Sequence, residues 1–229
     1  MLVFTCYIMI YGILSSLGAI YSNLATLYDY SMQSNSMCCL LFLFGGILNS
    51  FFLGSILDKY QCYKKLMIII SALSLATNLM HFGSLPFHNT MIEAFVMLLT
   101  GMSVVPITSV AYVFSVELAF PVPEALTNGM MITVGLIWST SVGFMATTLM
   151  ESNPVYALTL WSLMSLVSLI TSFFVQEDLR RLKQDEVKNS EYLEEDEVRR
   201  QSFEQREVFL KEAGLETLQF RFEFDQVSA

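Results

Sequence analysis

Lys59, Lys64 and Lys65 are the only Lys or Arg residues in the first 175 positions, and they stand together between two long apolar runs. A chain that folds in water spreads charge over its whole surface. Here charged residues are 14% of the sequence against 54% hydrophobic, and most of the charge is held back for the end. Of the formal net charge of −9, residues 1–175 carry −3 and residues 176–229 carry −6. The first part is therefore membrane-like and the second water-like. The acidic balance argues against nucleic acid as a partner.

A helix needs about 20 mostly apolar residues to cross a hydrocarbon core of about 30 Å. Six runs qualify, at 2–25, 37–57, 66–85, 91–115, 125–149 and 154–175. Each is bounded by turn or charge signals, such as Tyr28-Asp29-Tyr30-Ser31, Asp58-Lys59, Pro121-Val122-Pro123-Glu124 and Glu151-Ser152-Asn153-Pro154. Lipid offers the backbone no hydrogen-bond partner, so only helices or a closed barrel can span it. Barrel strands would alternate polar and apolar residues, and these runs do not. The first run lacks a positive n-region and exceeds a signal-peptide core, so it too reads as a span. The expected fold is an all-α, six-transmembrane-helix bundle over 1–175, followed by a charged cytosolic tail over 176–229, partly helical or disordered.

Lys and Arg near the membrane mark the cytoplasmic side. Lys59, Lys64 and Lys65 lie between the second and third spans, and Arg180, Arg181 and Lys183 follow the sixth. Four helices separate the two clusters, so both fall on one side. The chain is expected to be a multi-pass protein of the plasma membrane or an organelle membrane, with its tail in the cytosol. The segment from His81 to His88 and the loop near Glu151 then face the other side.

Several residues are candidates for chemistry. Acids near or inside spans are costly and default to functional hypotheses. Asp58 sits where a helix ends beside Lys59, and Glu117 and Glu124 bracket Phe120-Pro121-Val122-Pro123 on the same side. These two could pair with Lys64, Lys65 or Arg180, or be exposed loop acids. Glu93, at the entry of the fourth span, reads as a hydrated carboxylate or a proton-linked one. His81 and His88 read as one loop with no third ligand, so no metal is expected. Trp138 and Trp161 lie within spans, as packing residues or as part of a ligand path. No Ser/His/Asp set and no phosphate-binding Gly-rich loop is present, so neither an enzyme, a cofactor nor ATP-driven pumping is expected. No C-x-x-C pair occurs among Cys6, Cys38, Cys39 and Cys62. Glycines recur in the spans, among them Gly12, Gly18, Gly45, Gly46, Gly54, Gly101, Gly129, Gly135 and Gly143, and small residues let helices approach closely in lipid.

Four segments together resemble the second half of a major facilitator superfamily transporter, within the feline leukaemia virus subgroup C receptor-related group. They are Tyr11-Gly12 with Gly18-Ala19-Ile20-Tyr21-Ser22 and Thr26-Leu27; Gly54-x-x-x-Asp58-Lys59 with Tyr63-Lys64; Val116-Glu117-Leu118-Ala119-Phe120-Pro121-x-Pro123-Glu124 with Gly129; and Asp178-Leu179-Arg180-Arg181. The third is close to that group's E-L-T-Y-P-x-x-E-G pattern, with Ala125 in place of its glycine. The resemblance spans nearly all of 1–183. It implies half of a twelve-helix fold and transport of a small organic solute of the haem, choline or vitamin kind. It implies a cytosolic latch built from Asp58, Lys59, Lys64, Lys65, Glu117 and Glu124. It also implies a substrate path past Tyr21, Leu136 and Trp138. Leu136 stands where choline-transporting members carry a glutamine, so a directional hydrogen bond to ligand is lost there. A superfamily transporter needs two such halves, so the partner is either a missing N-terminal half or a second chain. The alternative expectation is a non-transporting membrane protein that acts as an assembly or regulatory partner through its charged tail.

Overall fold

The computed structural model describes residues 2–60, 62–175 and 192–205, with the side chain of Asp58 excepted. The described residues contain helices and turns and no strand. In chain order the helices are α1 (Leu2–Leu27), α2 (Met32–Tyr60), α3 (Tyr63–Ser84), α4 (Thr90–Val104), α5 (Ile107–Ala119), α6 (Glu124–Ser152) and α7 (Pro154–Phe174). They form six helices long and apolar enough to cross a membrane, with α4 and α5 sharing the fourth span. The all-α six-helix bundle is what the apolar runs required. Residues 192–205 form a separate helix whose side chains are all exposed. Arg180, Arg181, Lys183 and the stripe from Phe209 onward lie outside the described residues.

Two boundaries differ from the sequence reading. The second helix begins at Met32, not near position 37, because Ser31 accepts a hydrogen bond from the Ser34 N–H at 3.2 Å and starts it. The polar residues after Ser31 read as loop, yet Asn35 is buried and donates to the Ser22 hydroxyl of α1 at 2.9 Å. The fourth span is broken rather than continuous. Pro106 has no N–H to give the carbonyl four residues back, which belongs to Met102. Asn49 of α2 donates its amide to that carbonyl at 2.6 Å instead. Replacing Asn49 by Leu should cost about 1–3 kcal/mol, the penalty of a buried carbonyl left unpaired. Adding Pro106→Leu should recover much of it, because the new N–H can close the helix. A double-mutant cycle by reversible unfolding in micelles checks this, and strict additivity would refute it.

The bundle packs in pairs. Helix α1 lies against α6 and α7, α4 lies against α2 and α3, and α3 lies against α7. Exchanging the first three spans with the last three maps each of these pairs onto another of them or onto itself. Helices α2 and α4 approach to backbone contact. A Cβ placed on Gly45 would lie 2.6 Å from the Leu98 carbonyl, and one on Gly101 would collide with the carbonyl of Phe42. Lipid tails are as apolar as leucine, so such backbone contact takes the place of a hydrophobic driving force.

Exposure divides into two kinds of surface. Helices α2 and α6 expose large apolar side chains, including Phe44, Phe51, Phe52, Ile137 and Phe144. Helix α1 is different. Ser15, Gly18, Ala19, Ser22, Asn23 and Thr26 recur at helical spacing and are exposed, forming a face of small and polar residues.

Candidate functional site: a buried polar cluster between α1, α3 and α4

Along α3, Ser71, Ser74, Asn78, His81 and Ser84 fall at steps of three and four and share one buried face. Opposite them α7 presents Ser165, Ser168 and Ser172, all buried. Ser71 meets Ser168 at 3.0 Å and Ser172 at 3.1 Å, Ser74 meets Ser165 at 3.1 Å, and Asn78 donates to Ser165 at 2.9 Å. In lipid such interhelical bonds average about 0.6 kcal/mol each. Read by unfolding in micelles, replacing Ser165, Ser168 and Ser172 together by Ala should therefore destabilise by roughly 2–4 kcal/mol, since Ser168 and Ser172 also bond Cys6 of α1.

The stripe ends in ionisable groups. His81 and Glu93 are both buried, with side chains 2% and 0% exposed. Histidine Nδ1 lies 3.0 Å from Glu93 Oε1, and Nε2 lies 3.1 Å from Thr100 Oγ1. Tyr21 of α1 donates its phenol to the same Glu93 Oε1 at 3.1 Å. His81 occupies the last turn of α3 and Glu93 the first turn of α4, so each helix dipole favours the charge its residue can carry. Asn89 caps α4 by accepting the Met91 N–H at 3.0 Å.

This corrects two expectations. Glu93 is not hydrated, because the fold turns it inward against α3. His81 and His88 do not share a loop: His81 belongs to α3, while His88 follows the short Leu85–Phe87 turn with its Nδ1 at 2.8 Å from the Tyr28 carbonyl. The pairing was findable in the sequence, since a histidine and a glutamate each interrupt an apolar run where neither is cheap.

A second cluster is aromatic. Tyr7 is fully buried and shares a hydrogen bond with Tyr112 at 3.0 Å, while its ring stacks on Tyr11 at 5.2 Å. Trp138 is half-buried beside Gly12, and its indole N–H has no hydrogen-bond partner. Trp161 donates to Ser16 at 2.9 Å.

The residues expected on a substrate path are not brought together. Tyr21 is buried and turned to Glu93, Trp138 of α6 packs beside Gly12 of α1, and Leu136 is exposed on α6. Of the latch residues, Lys59 lies in the last turn of α2 with its Nζ 5.4 Å from the centre of the Tyr60 ring. Lys64 is half-exposed and Lys65 exposed at the start of α3, whose dipole does not favour a cation there. Glu117 is buried near the end of α5 and Glu124 exposed in the first turn of α6. Alternate traverses put both connections at one end of the bundle. The side chain of Asp58 lies outside the described residues.

Neither family models nor curated proteins match this chain.

Outside the spans, Tyr30 closes the cluster from the α1–α2 connection. Its phenol donates to the carbonyls of Ser84 and Leu85 at 3.3 and 3.4 Å. Burial, and then the nearby Glu93 and Cys38, push it up to about 12. Unfolded tyrosine titrates near about 10. The stability this group contributes is thus complete below about pH 10 and is lost as pH rises through the folded value. In an alkaline unfolding series Tyr30→Phe should flatten that decline, and an unchanged slope would refute the assignment.

Proposed function

We propose that the chain is one six-helix half of a rocker-switch secondary transporter for a small organic solute. Its resemblance to the second half of the major facilitator fold supports this. So does the pairing of its helices, which is conserved when the two sets of three spans are exchanged, as expected of inverted repeats. The observation that carries the reading is the face of α1. Six exposed small or polar residues, Ser15, Gly18, Ala19, Ser22, Asn23 and Thr26, suit water or a protein neighbour rather than acyl chains. In a transporter that face lines the path between the halves. The second wall comes from another six-helix bundle, either joined upstream or supplied by a second chain. Tyr21 then acts from behind the wall through Glu93 rather than by touching solute, while Leu136 lies on an α6 face with Gly129, Thr133 and Thr140. The tail and the Lys59–Lys65 connection lie in the cytosol.

Cysteine substitutions at Ser15, Ser22 and Thr26, with Phe44 and Phe144 as lipid-facing controls, test this in proteoliposomes. The α1 positions should react with a membrane-impermeant thiol reagent or be protected only by a co-reconstituted partner half, while the controls stay unreactive. If the α1 positions behave as the controls do, the reading fails.

A further inference from the structure

The hydrogen atoms of the buried cluster can be assigned. Thr100 donates its only hydroxyl hydrogen to the Val96 carbonyl, at 2.8 Å. With that hydrogen on Val96, its oxygen, 3.1 Å from His81 Nε2, accepts, and Nε2 carries a hydrogen. Tyr21 donates to Glu93 Oε1, so its hydrogen is also spoken for. The remaining contact, Nδ1 to Oε1 at 3.0 Å, holds only if a hydrogen lies between the two atoms. Whichever of them owns it, a neutral imidazole plus a carboxylic acid or an imidazolium plus a carboxylate, the pair sums to zero charge. With the hydrogens so placed, the cluster holds one proton more than a neutral imidazole beside a carboxylate.

Removing that proton leaves a single negative charge with no cation described beside it, in a site that is 0% exposed at Glu93. Isolated buried charge is very costly. Deprotonation also sets two lone pairs against each other at Nδ1 and Oε1. Escape through the other tautomer would force the Thr100 hydrogen off Val96. In the first case the contact that ties α3 to α4 is lost; in the second it is kept only at the expense of the Thr100 bond inside α4, with the buried negative charge still present. The second carboxylate oxygen, Oε2, has no hydrogen-bond partner, and the Ser84 hydroxyl faces the carboxylate without closing a bond. The titratable groups facing Glu93 are Tyr21 from α1, Tyr30 from the α1–α2 connection, Cys38 from α2 and His81 from α3.

We propose that His81 and Glu93 form a binding site for a single proton, and that releasing it loosens the packing of α4 against α3 and α1. This deepens the transporter reading by naming its coupling ion. Its chemistry nevertheless stands on this bundle alone.

The test uses the purified full chain in lipid nanodiscs, with the proton as the only ligand. An infrared titration across the pH range in which the protein stays folded follows the carboxyl and imidazolium bands. A one-proton transition is expected in the parent and absent in Glu93→Gln. Backbone hydrogen exchange in the first turns of α4, corrected for its intrinsic pH dependence, should rise on the deprotonated side of that transition. Identical titrations in parent and Glu93→Gln would overturn the proposal. Should Glu93→Gln fail to fold, Tyr21→Phe removes a single donor to Oε1 and should move the transition along the pH axis; an unmoved transition overturns it equally. No solute is involved, so a failed titration leaves the half-transporter reading standing, and failed labelling of α1 leaves the proton site standing.

Discussion

Substituting Gly101 by Val should abolish the folded bundle. A Cβ at this position collides with the carbonyl of Phe42, and the next atoms in its way are the Phe42 carbonyl carbon at 2.7 Å and Cα at 3.0 Å. All belong to backbone, so no rotamer change relieves the clash. The helices must separate, and α2 cannot withdraw freely because its Asn49 is bonded to the carbonyl of Met102, the residue after Gly101. Overpacking a core typically costs about 1–3 kcal/mol, and separation of two backbones belongs in the tail beyond about 4 kcal/mol. Loss of the monodisperse species on gel filtration, or a large drop in unfolding free energy in micelles, reads the effect. Gly54→Ala is the matched control: nothing lies within 4 Å of its Cβ position, and it should shift stability by no more than about 0.5 kcal/mol. Equal effects at the two glycines would mean that the α2–α4 contact is not what holds this pair.

Much of the fold was legible because lipid imposes a length. Six apolar runs with three lysines between the second and third leave little besides a helical bundle, and the helices follow them closely. What escaped were features that depend on a partner elsewhere in the chain. Gln33, Ser34 and Asn35 look like loop until Ser22 is seen to accept the Asn35 amide. Val105-Pro106 looks like a tolerated proline until Asn49 is found on the carbonyl it strands. Ser71, Ser74, Asn78, His81 and Ser84 do announce a polar face by their spacing, but not that α7 answers with serines. The family-based path residues fared differently. The resemblance implies a substrate path past Tyr21, whereas its phenol is committed to Glu93 inside the bundle. The direction of that side chain depends on what α3 and α4 place beside α1, which the sequence does not show.

Replacing His81 alone by Leu should be among the most destabilising changes available to this bundle, and replacing Glu93 as well should undo most of the damage. In the parent, Glu93 Oε1 accepts from Tyr21 and shares a proton with His81, while Oε2 already lacks a partner. Leu at position 81 takes away the shared proton's second owner. The carboxyl must then stay buried as an unpaired charge or take up a proton that has no acceptor, and Thr100 loses its donor too. Breaking a buried pair by removing one member costs about 3–5 kcal/mol, whereas replacing both with apolar groups of similar size is often neutral. The double variant His81→Leu with Glu93→Leu leaves only the Tyr21 phenol and Thr100 oxygen unsatisfied, each a neutral group with a penalty of about 1–3 kcal/mol. A third change, Tyr21→Phe, removes the phenol and should bring stability closer still to the parent. Unfolding free energies in micelles for the single, double and triple variants decide the matter. A ladder in which stability falls with every added substitution would show that the cluster is held by independent bonds. Recovery from single to double to triple variant would show that these side chains act as one unit, kept at a cost that a purely structural core could avoid.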